Sequence, residues 1–171
     1  MSGRLDALER QVHADLARIA YATGDWTPET CRDGSPVLDV AIIGGGQGGL
    51  ASAFALKRLG IHQIQVFDRA EAAQVGPWTT FARMVTLRTP KHVTGPDLGV
   101  PSLTLQSWFE ARYGEDAWAS LDKVSRQDWQ AYLDWYRDVL ALPVVHEHAL
   151  QGMDWKGGLL RLEFRSAGGG S

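Results

Sequence analysis

The sequence predicts an α/β domain built on a parallel sheet, and three observations carry that expectation. Residues 37–43 form a short apolar run of the kind that makes a strand buried on both faces. A glycine-rich turn, Gly44-Gly45-Gly46-Gln47-Gly48-Gly49, follows at once and leads into residues 50–59, a good helix former with no Pro and no β-branched residue. Residues 63–67 then read as a second strand that ends on Asp68.

Each residue type in this stretch has a physical reason to be there. Gly44 allows a positive φ as the chain leaves the strand. Gly46 lacks a Cβ, so a pyrophosphate can approach the backbone, and Gly49 lets the helix lie close to the strand. The first helical turn, at Gln47 and Gly48, offers unpaired N–H groups and the positive end of a dipole to phosphates. Asp68 sits where a carboxylate can accept the hydroxyls of an adenosine ribose. Strand, glycine turn, helix, strand and acid in this order make a Rossmann-like dinucleotide-binding unit.

Composition narrows the function classes. The 171 residues are 44% hydrophobic and 22% charged, with a net charge of −3, which is the make-up of a globular protein. No stretch is strongly basic, so no nucleic-acid partner is expected. Cys31 is the one cysteine, which excludes an intrachain disulfide and fits a reducing compartment. The N-terminus leads into a charged helix without an apolar signal core, and the apolar runs are too short to cross a bilayer. A cytoplasmic protein without a membrane partner is therefore expected.

Along the chain, residues 4–22 have the apolar spacing of an amphipathic helix (Leu5, Leu8, Val12, Leu16, Ile19) that packs on the domain edge. Residues 23–36 carry Gly24, Pro28, Gly34 and Pro36 and read as a connecting loop, anchored by Trp26. Residues 1–36 are thus a helix and linker, 37–165 the domain, and 166–171 a glycine-rich tail. After Asp68 the regular pattern stops. Residues 69–101 are too apolar for disorder and are expected to fold over a ligand as loops and short helices, with Arg83, Arg88, Lys91 and His92 as candidate phosphate or ring contacts. A helical excursion follows: a short helix ending near Gly114, a further turn around Trp118, and a longer helix opened by the capping pair Ser125 and Asp128 and ended by Pro143. Its aromatics at helical spacing read as core. Residues 144–150 read as one strand with His146 and His148 on one face; no third ligand is placed, so no metal site is expected. Lys156-Gly157-Gly158 between two strand-like runs signals a β-hairpin.

Gly44, Gly46, Gly49, Ala53 and Gly60, followed by Asp68, are similar to the longer FAD-binding form of the fingerprint. Val75-Gly76-Pro77-Trp78, then Leu87-Arg88-Thr89-Pro90-Lys91 and Pro101-Ser102-Leu103-Thr104, resemble the flavin-containing monooxygenases and their N-hydroxylating and Baeyer–Villiger relatives. The resemblance implies FAD as cofactor, with Gly44 to Gly49 on its pyrophosphate, Asp68 on the ribose and Arg69 beside the adenosine. It places Trp78 and Arg88 near the flavin and backbone groups at Ala149 and Leu150 near the adenine. NADPH is implied as the electron donor, with oxygen transferred to a small-molecule substrate. The superfamily carries a second GxGxxG and a strand that returns to the flavin, and this sequence has neither.

The chain is therefore expected to be the N-terminal part of an FAD-dependent, NAD(P)H-using monooxygenase, incapable of turnover alone. It is expected to associate with a missing C-terminal part or with a second copy. No catalytic residue is named. Two alternatives stay open: a non-catalytic nucleotide-binding module or truncated product, and an NAD(P)-dependent dehydrogenase.

Overall fold

The computed structural model describes residues 2–21, 24–93 and 95–166. The chain opens with α1 (Ser2–Arg18), whose Val12 and Leu16 are buried in the same apolar cluster as the rest of the core. The following segment is not all loop: β1 (Cys31–Arg32) and β2 (Ser35–Pro36) form a small antiparallel pair around Asp33-Gly34, a strong two-residue hairpin signal. Trp26 does anchor this segment, but by hydrogen bonds and not by burial. Its indole N–H donates to Leu59 O (2.5 Å) and its backbone N–H to Gly60 O (3.4 Å), while the residue remains 69% exposed.

The central sheet is parallel. β3 (Val40–Ile43) pairs in register with β4 (Ile64–Phe67), and β4 pairs on its other side with β5 (Val144–Val145). The crossover between the first two strands is α2 (Gln47–Arg58), which lays Leu50, Ala53 and Phe54 onto the sheet. Ile64 and Val66 are buried beneath it, and full burial of a side chain the size of Phe54 contributes about 2–3 kcal/mol.

Between Asp68 and Thr104 the only regular pieces among the described residues are two 3₁₀ turns, Ala72–Gln74 and Pro101–Leu103. The helical excursion is α3 (Leu105–Tyr113), α4 (Glu115–Ser120) and α5 (Arg126–Val139). Thr104 caps α3 by accepting the Ser107 N–H at 3.2 Å, and Ser125 caps α5 by accepting the Asp128 N–H at 2.9 Å. The aromatic stripe of α5 is core, as its spacing suggests. Tyr136 meets Phe54 edge-on at 6.0 Å, which docks α5 on α2. Both fully buried tyrosines keep a partner: Tyr132 donates to Leu103 O (2.8 Å) and Tyr136 to Pro96 O (2.5 Å). Burial pushes both hydroxyls far above the ordinary tyrosine range, and pushes Tyr21 up to about 12.

The run 144–150 is not one strand. β5 stops at Val145, and Glu147 at φ 59° turns the chain into β6 (His148–Lys156), which pairs antiparallel with β7 (Leu159–Ser166). The reason lies in β4, which ends at Phe67. Asp68 gives its N–H to Val145 O (2.9 Å) and takes the N–H of His148 on its own carbonyl (2.8 Å), leaving no further strand to pair. His146 and His148 therefore share no strand face, and His148 Nδ1 lies 2.7 Å from His146 O. The hairpin turns at Gly157-Gly158 as expected but begins earlier than the sequence suggests, with a bulge between Leu150 and Gly152. Of the expected tail 166–171, Ser166 belongs to β7 through its pairing with His148, and residues 167–171 lie outside the described residues. Within them β3 forms one edge of the sheet, and an apolar groove of about 580 Å³ runs between it and the β6–β7 hairpin. No helix among the described residues is long and apolar enough to cross a membrane.

Candidate functional site

The site is organised where β3 becomes α2. Gly44 adopts φ 104°, which an L side chain resists, and its N–H donates to Phe67 O at 2.8 Å. Gly46 is the N-cap residue of α2 and supplies no side-chain cap. The first helical N–H to reach a carbonyl is that of Leu50, on Gly46 O at 3.0 Å. The N–H groups of Gln47, Gly48 and Gly49 thus stand at the helix N-terminus without an intrahelical partner. A Cβ on Gly46 would meet nothing within 4 Å, so the space beside the turn is open. A Cβ on Gly49 would lie 1.9 Å from Gly44 O, so that glycine serves the strand–helix contact.

A cavity of about 720 Å³ opens in front of this turn, at the carboxyl end of the strands, where open α/β sheets bind ligands. Gly44, Gly46, Asp68, Arg69 and Leu150 line it, so the structure brings these five sequence-predicted residues together. Arg165 also lines it. Sequence reasoning missed Arg165, because only the hairpin register that sets it opposite Ala149 brings it here. Neither Arg69 nor Arg165 has an ion pair among the described residues. Asp68 is turned inward and is 8% exposed. One of its oxygens accepts the Gly45 N–H at 2.6 Å and the other the Ala70 N–H at 2.8 Å. The pairing of Gly45 and Ala70 with Asp68 was likewise missed, since neither fingerprint spacing nor residue type marks a backbone donor.

A second cavity, of about 280 Å³, also has a wall at the start of α2. Gln47, Trp78, Leu87, Arg88 and Trp129 are among its walls. Trp78 meets Trp129 edge-on at 6.4 Å, so it is both a packing residue and a cavity wall, and the buried Trp129 indole N–H has no partner among the described residues. The irregular segment is held here by α5 and its cap. Arg126 donates from its side chain to Ala82 O and from its backbone to Val85 O (3.1 Å), and Leu87 donates to Val124 O (2.8 Å). Arg88 follows directly and is exposed at the cavity mouth.

Of the other candidate cations of that segment, Lys91 also lines the second cavity. Lys91 donates to Trp118 O (2.6 Å) and sits 5.0 Å above the Trp118 ring, which ties it to α4. His92 packs edge-on against the same tryptophan, and Arg83 lines neither cavity. Gly48 and Gly49 contribute through the helix terminus and not as cavity walls.

Comparison with known proteins agrees with this geometry. A family model described as FAD-NAD(P)-binding matches residues 41–152. A protein named FAD-dependent urate hydroxylase from Xanthomonas campestris pv. campestris is 47% identical over 140 residues, which is 82% of this chain and 30% of that protein. The solved flavin-containing monooxygenase from Stenotrophomonas maltophilia superposes with a TM-score of 0.57 at 27% identity, over 75% of this chain and 34% of that one. A double mutant of the same monooxygenase matches equally well. The chain thus spans about a third of the length of these relatives. With its strand–glycine turn–helix unit, its acid-ended second strand and the model match across most of the domain, the chain belongs to the FAD-NAD(P)-binding family.

Proposed function

We propose that this chain binds FAD as the cofactor-binding portion of a cytoplasmic, NAD(P)H-using flavin monooxygenase. The observation that carries the reading is a pair of cavities walled by neighbouring residues at the start of α2. Gly46 lines the larger one and its neighbour Gln47 the smaller one, so an extended ligand can run from one to the other past the helix N-terminus. FAD has that form. Gly44 and Gly46, with the N–H groups of Gln47, Gly48 and Gly49, would hold the pyrophosphate. Asp68, Arg69 and Leu150 stand at the adenosine end, and Trp78 and Arg88 at the flavin end.

The open backbone at Gly46 and the unpartnered Trp129 indole in the wall of the second cavity fit such an occupant. Bound flavin supplies hydride acceptance and oxygen activation, while the protein binds, orients and excludes water. Trp78, Leu87, Val124 and Trp129 form the water-excluding wall. The names of the urate hydroxylase and monooxygenase relatives support the assignment to monooxygenases. The open edge of β3 and its apolar groove are where this reading seats further polypeptide of the same protein or a second copy.

The test is titration of the purified chain with FAD and with ADP. FAD is expected to bind with quenched flavin fluorescence, and ADP to compete with it. A chain that binds ADP but leaves FAD free would support a nucleotide-binding module instead, and a chain that binds neither would overturn the proposal.

A further inference from the structure

We propose that Arg165 is a specificity-determining residue for the bound nucleotide, its guanidinium plane covering the face of the adenine ring. The inference rests on the reading that the larger cavity takes the adenosine diphosphate part of FAD. In that reading the N–H groups at the start of α2 face the pyrophosphate, while Asp68, Arg69 and Leu150 stand at the adenosine end. Arg165 lines the same cavity, and none of these contacts uses it.

The β6–β7 hairpin sorts its side chains by the alternation of a strand. Phe164 stacks on Phe67 with ring centroids 4.3 Å apart and lines the apolar groove, whereas the next residue, Arg165, lines the cavity. By the same alternation Arg161 and Glu163 share a strand face with Arg165. Arg161 takes the neighbouring carboxylates, Asp154 at 2.9 Å and Glu163 at 2.8 Å, and Arg165 is left without an ion pair among the described residues. Opposite Arg165 in the register is Ala149. Cross-strand partners point to one face, so the small Ala149 methyl leaves room for a flat ring beside the strand and under the guanidinium. A guanidinium is planar, weakly hydrated and stacks on aromatic faces, which a compact, strongly hydrated ammonium does not. Arg165 thus stands level with Ala149, next to Leu150, on the hairpin wall and not on the glycine turn.

The experiment measures displacement of FAD by ADP, adenosine and pyrophosphate, read by flavin fluorescence after the FAD affinity of each protein has been measured directly. It compares the wild-type chain with Arg165→Ala and Arg165→Lys. Arg161→Ala is the control, since Arg161 shares the strand face but lines neither cavity. Arg165→Ala should weaken ADP and adenosine by the same factor, about five- to tenfold, and leave pyrophosphate within about twofold of wild type. That factor should hold between about 50 and 500 mM salt, because a stacked plane is not screened as a phosphate pair is. Arg165→Lys should not restore affinity, and Arg161→Ala should bind like wild type.

A loss confined to ADP and pyrophosphate that fades with salt would show Arg165 pairing with phosphate. Unchanged affinity for all three ligands would show a solvated surface charge. Either result overturns the inference, as does full rescue by lysine or an equal loss in Arg161→Ala. Thermal unfolding of the variants separates these outcomes from a loss of fold, since Arg165 is exposed and its removal should leave Tm unchanged within about 2 °C. A wild-type chain that binds neither FAD nor ADP would overturn the nucleotide reading itself, and the inference with it.

Discussion

Three glycines within four residues should respond to the same substitution in three different ways. In Gly49→Ala the new Cβ would lie 1.9 Å from Gly44 O and 3.1 Å from Gly44 C, so strand turn and helix must part by roughly an ångström. Gly44 cannot swing aside, because its N–H is held on Phe67 O and its φ is already 104°. Overpacking of this kind costs about 1–3 kcal/mol, and a rigid backbone acceptor places it at the upper end. The gain in helix propensity offsets up to about 1 kcal/mol. The net loss is about 2 kcal/mol, or a Tm lower by about 4–8 °C for a chain of this size.

Gly48 is the next residue back in the same helix, and a Cβ there meets nothing within 4 Å. Gly48→Ala should therefore raise stability by about 0.5–1 kcal/mol and Tm by about 1–4 °C. Gly46→Ala is also open to a Cβ and has φ −72°, so stability should change by less than about 1 kcal/mol. Its methyl group enters the proposed pyrophosphate path, so ADP affinity should fall at least about tenfold while the fold persists. Thermal denaturation with and without ADP reads all three. A Gly49→Ala protein as stable as wild type would refute the steric argument, and full ADP affinity in Gly46→Ala would refute the placement of the phosphates.

Tyr136→Phe leaves Pro96 O without its buried donor and should destabilise by about 1–3 kcal/mol, measured by urea unfolding. Stability should also fall at alkaline pH. Tyr21, Tyr132 and Tyr136 have folded-state pKa values raised by burial, so the unfolded chain loses these protons first. Their contribution is fully present below pH ~10 and declines above it, through about 12 for Tyr21, and Tyr136→Phe should flatten that decline in denaturation curves taken at stepped pH. Arg126→Ala removes the side-chain hold on Ala82 O and should loosen the segment that carries Arg88. Faster proteolysis between Phe81 and Arg88, with the α5 core intact, is the expected result, and an unchanged digestion pattern would argue against the staple. Trp78→Phe should reduce quenching of bound flavin more than it reduces stability, since the residue is half-buried and lines the second cavity.

Local chemistry made much of this protein legible from its residues alone. The strand–turn–helix–strand unit, the N-cap at Ser125, the helix ends near Gly60 and Gly114 and the Gly157-Gly158 turn depend on side-chain size and nearby hydrogen bonds. Those are properties of a few neighbouring residues, so a linear reading reaches them. It also separated the core aromatics of α5 from ligand contacts, because helical spacing says which face is buried.

Tertiary structure decided the rest. The run 144–150 reads as one strand until β4 is seen to end too soon to pair it. Lys91 reads as a candidate ligand contact, and only the fold shows that it lies over Trp118 while lining the second cavity. Asp68 is picked out by its position at the end of the second strand, and only the fold adds that its oxygens also accept from Gly45, 23 residues earlier, and from Ala70 in the next corner. Arg126 reaches 44 residues back to seat the segment that walls the second cavity, and Arg165 arrives only through the hairpin register. The motif and its helix follow from sequence because their energetics are local. The partners of a buried carboxylate and the walls of a cavity follow only from which distant segments pack together.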